Sequence, residues 1–450
     1  RSLFIIMRKH NIGFISLGCA KNLVDSEIEM DCLIRNGCAI TGDPDRADLL
    51  IVNTCGFLNS AIEESVSTVN EFISKGKKVL VTGCLGKRAD YVRQHCPGIV
   101  GVAGPQDYNA VLQQAVGFLR SGDENCAAVK LYTENLVPEA SLTPPHYSYL
   151  KVSEGCSNHC SYCVIPELRG PMVSRKADNI LREAERKAEK GAKELLIIAQ
   201  DTAAYGKDFG NSECVLDDGR AVRQDIVSLC RELGKLDIWI RLHYLYPYPV
   251  LDSLVGLMSE GVILPYLDVP LQHASPNILR SMKRPGTVEK TLDRIAKWRE
   301  TCPDLTIRST FIVGYPGETD QDFEILLDFI REARLDRVGC FAYSDTPGAL
   351  ANSMPQLPDE LKQERLDRFM TVQQEISKSR LEEKRGRVMP VIVDGTDSMG
   401  RLCGRTKGDS PDIDGIAYVL TDKKHEAGDI ISVRITDSDE YDLFGDEILE

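Results

Sequence analysis

Three cysteines stand close together in the stretch Cys156-Ser-Asn-His-Cys160-Ser-Tyr-Cys163. This CxxxCxxC spacing lets one short turn present three thiolates, the ligand type that holds iron–sulfur clusters. Three ligands on a four-iron cubane leave one iron open to another molecule. A second trio, Cys19, Cys55 and Cys84, is scattered far upstream. The competing reading of the tight trio is a structural zinc site with His159 as fourth ligand. Zinc sites, however, usually pair their ligands as two separated couples and close all four positions. Two open clusters in one chain would join radical chemistry to the handling of sulfur.

The elements that must position these thiols can be read from apolar patterning. Over 11–120, short apolar runs at 12–17, 49–52 and 79–82 alternate with amphipathic stretches beginning at Asn22, Asn59 and Lys87. That is an α/β layout around a parallel sheet. Cys19, Cys55 and Cys84 each follow one of those strands, and ligand sites in open α/β sheets lie at the carboxyl ends of strands. The three are therefore expected to meet at one rim. Taken singly, each is an ordinary buried thiol, the common fate of a free cysteine. That reading is kept for the other nine, such as Cys32, Cys230 and Cys340.

A polar, proline-bearing stretch over 121–145 reads as a linker, and residues 1–120 as the N-terminal domain. From 146 to 385 the strand–helix alternation recurs about six times, with strands expected at 149–152, 195–199, 238–243, 266–269, 310–313 and 337–341. Six such units make a partial (β/α)6 barrel, whose chemistry belongs at the carboxyl ends of its strands. The Cys156–Cys163 loop follows the first of them. The charged amphipathic stretch 358–385 is expected to be a connecting helix. Beyond Gly386, β-like runs at 388–393, 416–420 and 430–435 suggest a small antiparallel β-barrel over 386–450.

Bulk numbers fit this division. A chain of 450 residues holds two or three cores, and its 42% hydrophobic and 27% charged content is ordinary for a globular protein. No apolar run approaches the roughly 20 residues that span a bilayer, and the run at 3–7 is too short for a signal-peptide core. A cytoplasmic location is expected, with Met7 as a possible native start. Fifteen cysteines spread over so long a chain favour reduced thiols and metal binding over a disulfide framework. A net charge of −14 argues against a protein built mainly to grip phosphate backbones.

CxxxCxxC with an aromatic residue, Tyr162, before its last cysteine, in the first loop of a partial barrel, resembles the radical S-adenosylmethionine superfamily. The resemblance implies that the open iron chelates the methionine end of S-adenosylmethionine. One electron then cleaves the sulfonium, giving a 5′-deoxyadenosyl radical that attacks a C–H bond. Thr310-Phe-Ile-Val-Gly-Tyr-Pro-Gly-Glu318 resembles the superfamily's segment lining the adenosine pocket, which points to Val313 and Gly314. Gln200-Asp201-Thr202 stands where the cofactor-amine loop is placed, without its usual Gly-Gly-Glu.

The rest of the chain narrows the resemblance to the methylthiotransferases of that superfamily, whose C-terminus is a TRAM barrel. Leu17-Gly-Cys-Ala-Lys-Asn-Leu-Val-Asp-Ser-Glu27, Asn53-Thr-Cys-Gly56 and Thr82-Gly-Cys84 match their N-terminal motifs, and the likeness covers 11–450. It implies two 4Fe-4S clusters, one on Cys19/Cys55/Cys84 and one on Cys156/Cys160/Cys163. It further implies S-adenosylmethionine as both methyl donor and radical source, an exogenous sulfur source and an external electron donor. His243, His273 and Asp268, near expected strand ends, could touch cofactor or substrate, and serve equally well as polar residues of the barrel rim.

Two branches of that family compete: one modifies an isopentenyl-adenosine of tRNA, the other an aspartate of the twelfth small-subunit ribosomal protein. Residues 387–450 carry 15 Asp/Glu against 7 Lys/Arg, a net of −8 and more than half of the chain's total. An acidic barrel repels RNA and attracts a basic protein. The alternative is that these acids only solvate the surface. Lys21 stands where the tRNA branch more typically has methionine, and Asp439-Glu-Tyr-Asp-Leu-Phe-Gly445 resembles the ending of the ribosomal-protein branch. The expected substrate is therefore the basic ribosomal protein, free or in the assembled subunit, with direct tRNA binding the lesser alternative. A monomer is the default. A non-catalytic iron–sulfur or zinc interaction module is the reading from a different class.

Overall fold

The computed structural model describes residues 10–119, 129–133, 138–210 and 212–448. The possible start at Met7 and much of the expected linker lie outside the described residues. The chain divides into two compact units: Arg1–Leu142 with Glu154–Ser157 and Val164–Pro171, and Thr143–Ser153 with Asn158–Cys163 and Met172–Glu450.

The first unit is built on a five-stranded, all-parallel sheet of β1 (Asn11–Ser16), β2 (Ala39–Thr41), β3 (Leu49–Thr54), β4 (Val79–Gly83) and β5 (Gly101–Val102), in the order β2-β1-β3-β4-β5. Leu49-Leu-Ile-Val and Val79-Leu-Val are continuous apolar runs and wholly buried, as strands covered on both faces must be. Helices Ala20–Arg35, Asn59–Ser74 and Tyr108–Leu119 supply the cover. The two edge strands, β2 and β5, were not among the expected runs. They are only three and two residues long, too short to show periodicity.

In the second unit, β6 (Tyr147–Lys151), β7 (Glu194–Ile198), β8 (Trp239–Leu242), β9 (Tyr266–Asp268), β10 (Thr306–Val313) and β11 (Arg337–Ala342) pair in chain order, all parallel. This is the expected six-strand partial barrel. Leu150, Leu195, Ile197, Ile240, Leu267, Ile307, Phe311 and Val313 belong to one core beneath its helices. The connecting helix runs Asp359–Glu382, and its buried face repeats at Lys362, Arg365, Phe369, Gln373, Ile376 and Leu381. Part of that face is polar because Arg365 donates to Glu318 Oε1 at 2.6 Å. Among the described residues no helix is long and apolar enough to cross a membrane.

The small C-terminal barrel closes through β12 (Val388–Thr396), β13 (Leu402–Thr406), β14 (Ala417–Leu420), β15 (Ile430–Ser438) and β16 (Leu443–Glu447), in the order β12-β13-β14-β16-β15. One pair, β14 with β16, is parallel, so the antiparallel expectation holds for the other four. β13 and the segment that follows it pack on residues of the larger barrel's strands, of which Glu194, Tyr266 and Arg337 are first residues. Arg405 donates to Glu194 Oε2 at 2.5 Å, Arg241 to the Lys407 carbonyl at 2.9 Å, and Arg337 to Asp409. Tyr266 donates to Asp414 Oδ2 at 2.6 Å. The amino end of the barrel is thereby occupied, which leaves the carboxyl end for chemistry.

Those contacts also change the meaning of the C-terminal acidity. Asp394 takes His146 and Arg405, Asp409 takes Arg337 and Thr406, Asp412 takes Tyr147, and Asp414 takes Tyr266 and Ser410. Four of the fifteen acids are thus spent inside this unit. Of the acids in the terminal stretch, Asp437 and Asp446 stand exposed.

Candidate active site

Cys19 is the N-cap residue of helix Ala20–Arg35, Cys55 follows β3, and Cys84 follows β4. Asn22 reaches all three loops. Its Nδ2 donates to the carbonyls of Leu17 and Thr54, both at 3.0 Å. Its Oδ1 lies 3.9 Å from Cys19 Sγ and 3.8 Å from Cys84 Sγ. Glycines let the loops approach one another. A Cβ at Gly18, whose φ is +97°, would stand 3.2 Å from the Cys55 Cβ, and one at Gly56 would stand 2.8 Å from the Cys84 backbone. Larger residues at those two positions would push the cysteine loops apart. Cys19 is exposed, Cys55 half-buried and Cys84 buried. Burial pushes the Cys84 thiol up to about 11 against the opposing pull of Arg169.

Among the described residues no three His, Cys, Asp or Glu side chains gather around one ion-sized point. A cubane asks for something else, since each thiolate binds a different iron. Three thiols around a rim, with no carboxylate among them, are the donor set such a cluster takes.

The CxxxCxxC segment is divided between the units. Cys156, in the first, donates its N–H to the Gly170 carbonyl at 3.1 Å. In the second, Cys163 N donates to the Cys160 carbonyl at 3.1 Å, closing a turn. Arg284, almost wholly buried, lies against that turn. Its guanidinium is 3.7 Å from Cys160 Sγ and 3.5 Å from the Tyr162 hydroxyl, and packs over the Tyr246 ring. Tyr162 itself packs with Ile278, Met282, Tyr315 and Tyr343, and burial raises its phenol well above the usual range.

Gln200, Asp201 and Thr202 follow the carboxyl end of β7. Asp201 Oδ2 accepts from Asn158 at 2.8 Å and from the Tyr248 hydroxyl at 3.0 Å. Its Oδ1 and the Thr202 hydroxyl are buried without a hydrogen-bond partner among the described residues. Such groups are normally satisfied, so a ligand carrying donors fits here. Burial raises the Asp201 carboxyl, partly offset by those two donors. Val313 and Gly314 offer less. Val313 is a core side chain whose carbonyl takes the Tyr343 N–H, and Gly314 N donates to Glu318 Oε2 at 3.0 Å. A Cβ at Gly314, where φ is +69°, would meet Lys362, so glycine is needed there for packing.

The three polar rim residues are engaged internally. His243 bonds Asp268 through Nδ1 at 3.2 Å and Ser410 through Nε2 at 3.0 Å, while Asp268 also takes Arg308. His273 pairs with Glu318 and accepts from Ser275 N. Cys32 and Cys230 are buried thiols pushed up to about 12, chiefly by burial, in keeping with a packing role. Arg169, Arg284, Asn158 and Tyr248 were not singled out from sequence. Asn158 lies inside the cysteine motif and was within reach; the other three carry no local signal.

Three family models match the chain. The Radical SAM superfamily matches 150–330, the family described as Uncharacterized protein family UPF0004 matches 11–102, and the TRAM domain matches 386–448. A radical SAM methyltransferase, TsrM from Kitasatospora setae, shares the fold at a TM-score of 0.52 and 15% identity, covering 74% of this chain and 72% of its own. The partial barrel and its strand-end cysteine loop thus define a radical SAM enzyme.

Ribosomal protein uS12 methylthiotransferase RimO from Vibrio vulnificus (strain YJ016) is 52% identical over 439 residues, covering 97% of this chain and 92% of the relative. The protein of the same name from Cronobacter sakazakii (strain ATCC BAA-894) is 50% identical over 443 residues, covering 98% and 99%. The chain belongs to the RimO family of radical SAM methylthiotransferases.

Proposed function

We propose that this enzyme places a methylthio group on the β-carbon of one aspartate of ribosomal protein uS12, in the cytoplasm. The meeting of Cys19, Cys55 and Cys84 around Asn22 carries the reading, because a second thiol set is what methylthio transfer needs beyond radical generation. In this reading Cys19, Cys55 and Cys84 hold one 4Fe-4S cluster and Cys156, Cys160 and Cys163 another. The domains are 1–120, 146–385 and 386–450, joined through 121–145. When bound, the clusters and S-adenosylmethionine supply electron transfer, the radical that opens an unactivated C–H bond, and the methyl group. Sulfur and electrons come from outside the chain.

The protein's own part is to hold and orient. Tyr162 and Arg284 wall the Cys160 side of the turn in a buried, apolar setting. Asp201 and Thr202 offer orphaned oxygens to cofactor donors, with Gln200 beside them in sequence, while Val313 and Gly314 are assigned to the cofactor pocket on resemblance alone. β13 and the segment after it cover the amino end of the barrel, which keeps the reactive side at the opposite rim.

Iron analysis tests the ligand sets. The anaerobically reconstituted full chain should hold two clusters' worth of iron, and the Cys19→Ala/Cys55→Ala/Cys84→Ala variant half of it. Equal iron in the two, or colourless zinc protein, would contradict the two-cluster reading. The exposed acids Asp437 and Asp446 bear on substrate docking. Asp437→Asn/Asp446→Asn should weaken uS12 binding severalfold at low salt and leave S-adenosylmethionine cleavage unchanged, since rim charges act mainly on encounter. Affinity that ignores both the substitutions and the salt would remove electrostatic docking from the proposal.

A further inference from the structure

Arg169 closes the helix Ile165–Arg169, six positions beyond Cys163, and its side chain is almost wholly buried. All three of its guanidinium nitrogens donate. Nε donates to Cys84 Sγ at 3.1 Å, and one terminal nitrogen donates to Asn22 Oδ1 at 2.6 Å. The other terminal nitrogen donates to Asp25 Oδ2 at 3.0 Å and Glu154 Oε1 at 2.9 Å. Asn22 is the residue that bridges the loops of Cys19 and Cys84. The next residue, Gly170, gives its carbonyl to the N–H of Cys156. A Cβ at Gly155 would stand 2.6 Å from that carbonyl and 2.2 Å from the Pro171 carbonyl, so the backbone of 154–156 lies hard against 170–171.

We infer that Arg169 is a positioning residue for the N-terminal cluster: it fixes Cys84 by an N–H···S bond and, through Glu154 and Gly170, ties that ligand to Cys156 of the other set. The inference rests on the cluster assignment proposed above. Guanidinium is suited to the task, because five donors in a rigid fork serve several acceptors at once, which an ammonium on a flexible stem does not. Burying so large a cation needs opposite charge, and Asp25 and Glu154 provide it. Asp25 is held in turn by the Tyr108 hydroxyl at 2.7 Å.

Hydrogen bonds to cluster sulfurs and nearby positive charge stabilise the reduced, more negative state and so raise the midpoint potential. Losing the N–H···S bond should lower it. The test uses the full chain carrying Cys156→Ala/Cys160→Ala/Cys163→Ala, so that only the N-terminal set takes iron. Into this parent go Arg169→Lys, which keeps the charge and loses the fork, and Arg169→Met/Glu154→Gln, which removes the guanidinium and one of its two carboxylate partners and leaves Asp25 to the Tyr108 hydroxyl. Iron content and an EPR-monitored redox titration are read for all three.

The parent should load iron, and the Met/Gln variant should show at least a tenfold lower ratio of reduced to oxidised cluster at a fixed potential, about 59 mV for one electron. The lysine variant should fall between the two. Failure of a folded variant to take iron, with the parent loaded, would equally support a role in placing Cys84. Loaded variants with the parent's midpoint and spectrum would overturn the inference alone. So would unfolding of both variants, which would assign Arg169 to the fold. An iron-free parent would overturn the cluster assignment and the inference together.

Discussion

Cys156→Ala is expected to reduce S-adenosylmethionine cleavage to background, whereas Cys55→Ala leaves cleavage near the parent rate and abolishes methylthio transfer. The difference follows from where the two thiols stand. Cys156 begins the loop after β6 and, in the proposed assignment, is a ligand of the cluster that cleaves S-adenosylmethionine. Cys55 follows β3 at the rim that Cys19 and Cys84 share. On the proposed assignment, a thiol lost from a three-ligand site leaves two, too few to hold a cubane in place. The check is to quantify 5′-deoxyadenosine and methylthiolated product side by side for each variant. Product from the Cys55 variant would remove the second cluster from the reaction.

The largest effect on stability is expected from Glu194→Gln. Glu194 opens β7, is fully buried, and bridges Arg241 at 2.6 Å and Arg405 at 2.5 Å. Arg241 is also fully buried and packs over the Tyr266 ring. Removing the one carboxylate leaves two buried guanidinium groups short of a partner, which costs about 3–5 kcal/mol. Denaturant titration should show the midpoint falling with an unchanged slope. A variant as stable as the parent would mean that water or Asp394 replaces the missing charge.

The pH dependence has a definite sign. Burial opposes ionisation of Glu194, but Arg241 and Arg405 outweigh it and hold the carboxyl below its ordinary 4.5. A carboxylate depressed on folding stabilises fully above its unfolded value and less as pH falls toward its folded one. The parent should therefore lose stability as pH drops below about 4.5, and Glu194→Gln should flatten that part of the profile.

Much of this was legible in the sequence for physical reasons. Wholly apolar runs such as Leu49-Leu-Ile-Val, too short for helices, read as strands covered on both faces, and a cysteine after each such run falls on the rim. Two-residue and three-residue edge strands carry no period, so β2 and β5 could not be seen. β13 and β16 were hidden because a central glycine, Gly404 or Gly445, breaks the alternation. Each is needed, since a Cβ there would stand 2.3 Å from the Ile392 carbonyl or 2.5 Å from the Arg434 carbonyl.

A sequence shows charge only as a sum. Net −8 over the C-terminal segment was visible, but not that Asp394, Asp409, Asp412 and Asp414 turn inward to arginine, histidine and tyrosine. Arg169 was invisible for a related reason. Its partners Asn22, Asp25 and Cys84 lie 147, 144 and 85 positions away, and no local pattern announces such a contact.

The reconstituted enzyme should be given S-adenosylmethionine and reductant under anaerobic conditions, with small ribosomal subunits and isopentenylated tRNA offered together and both analysed by mass spectrometry. A methylthio mass gain confined to one aspartate-containing peptide of uS12 is the expected result. A gain on the tRNA, with the ribosomal protein untouched, would contradict the proposed substrate and leave the acidic C-terminal barrel without a role in choosing it.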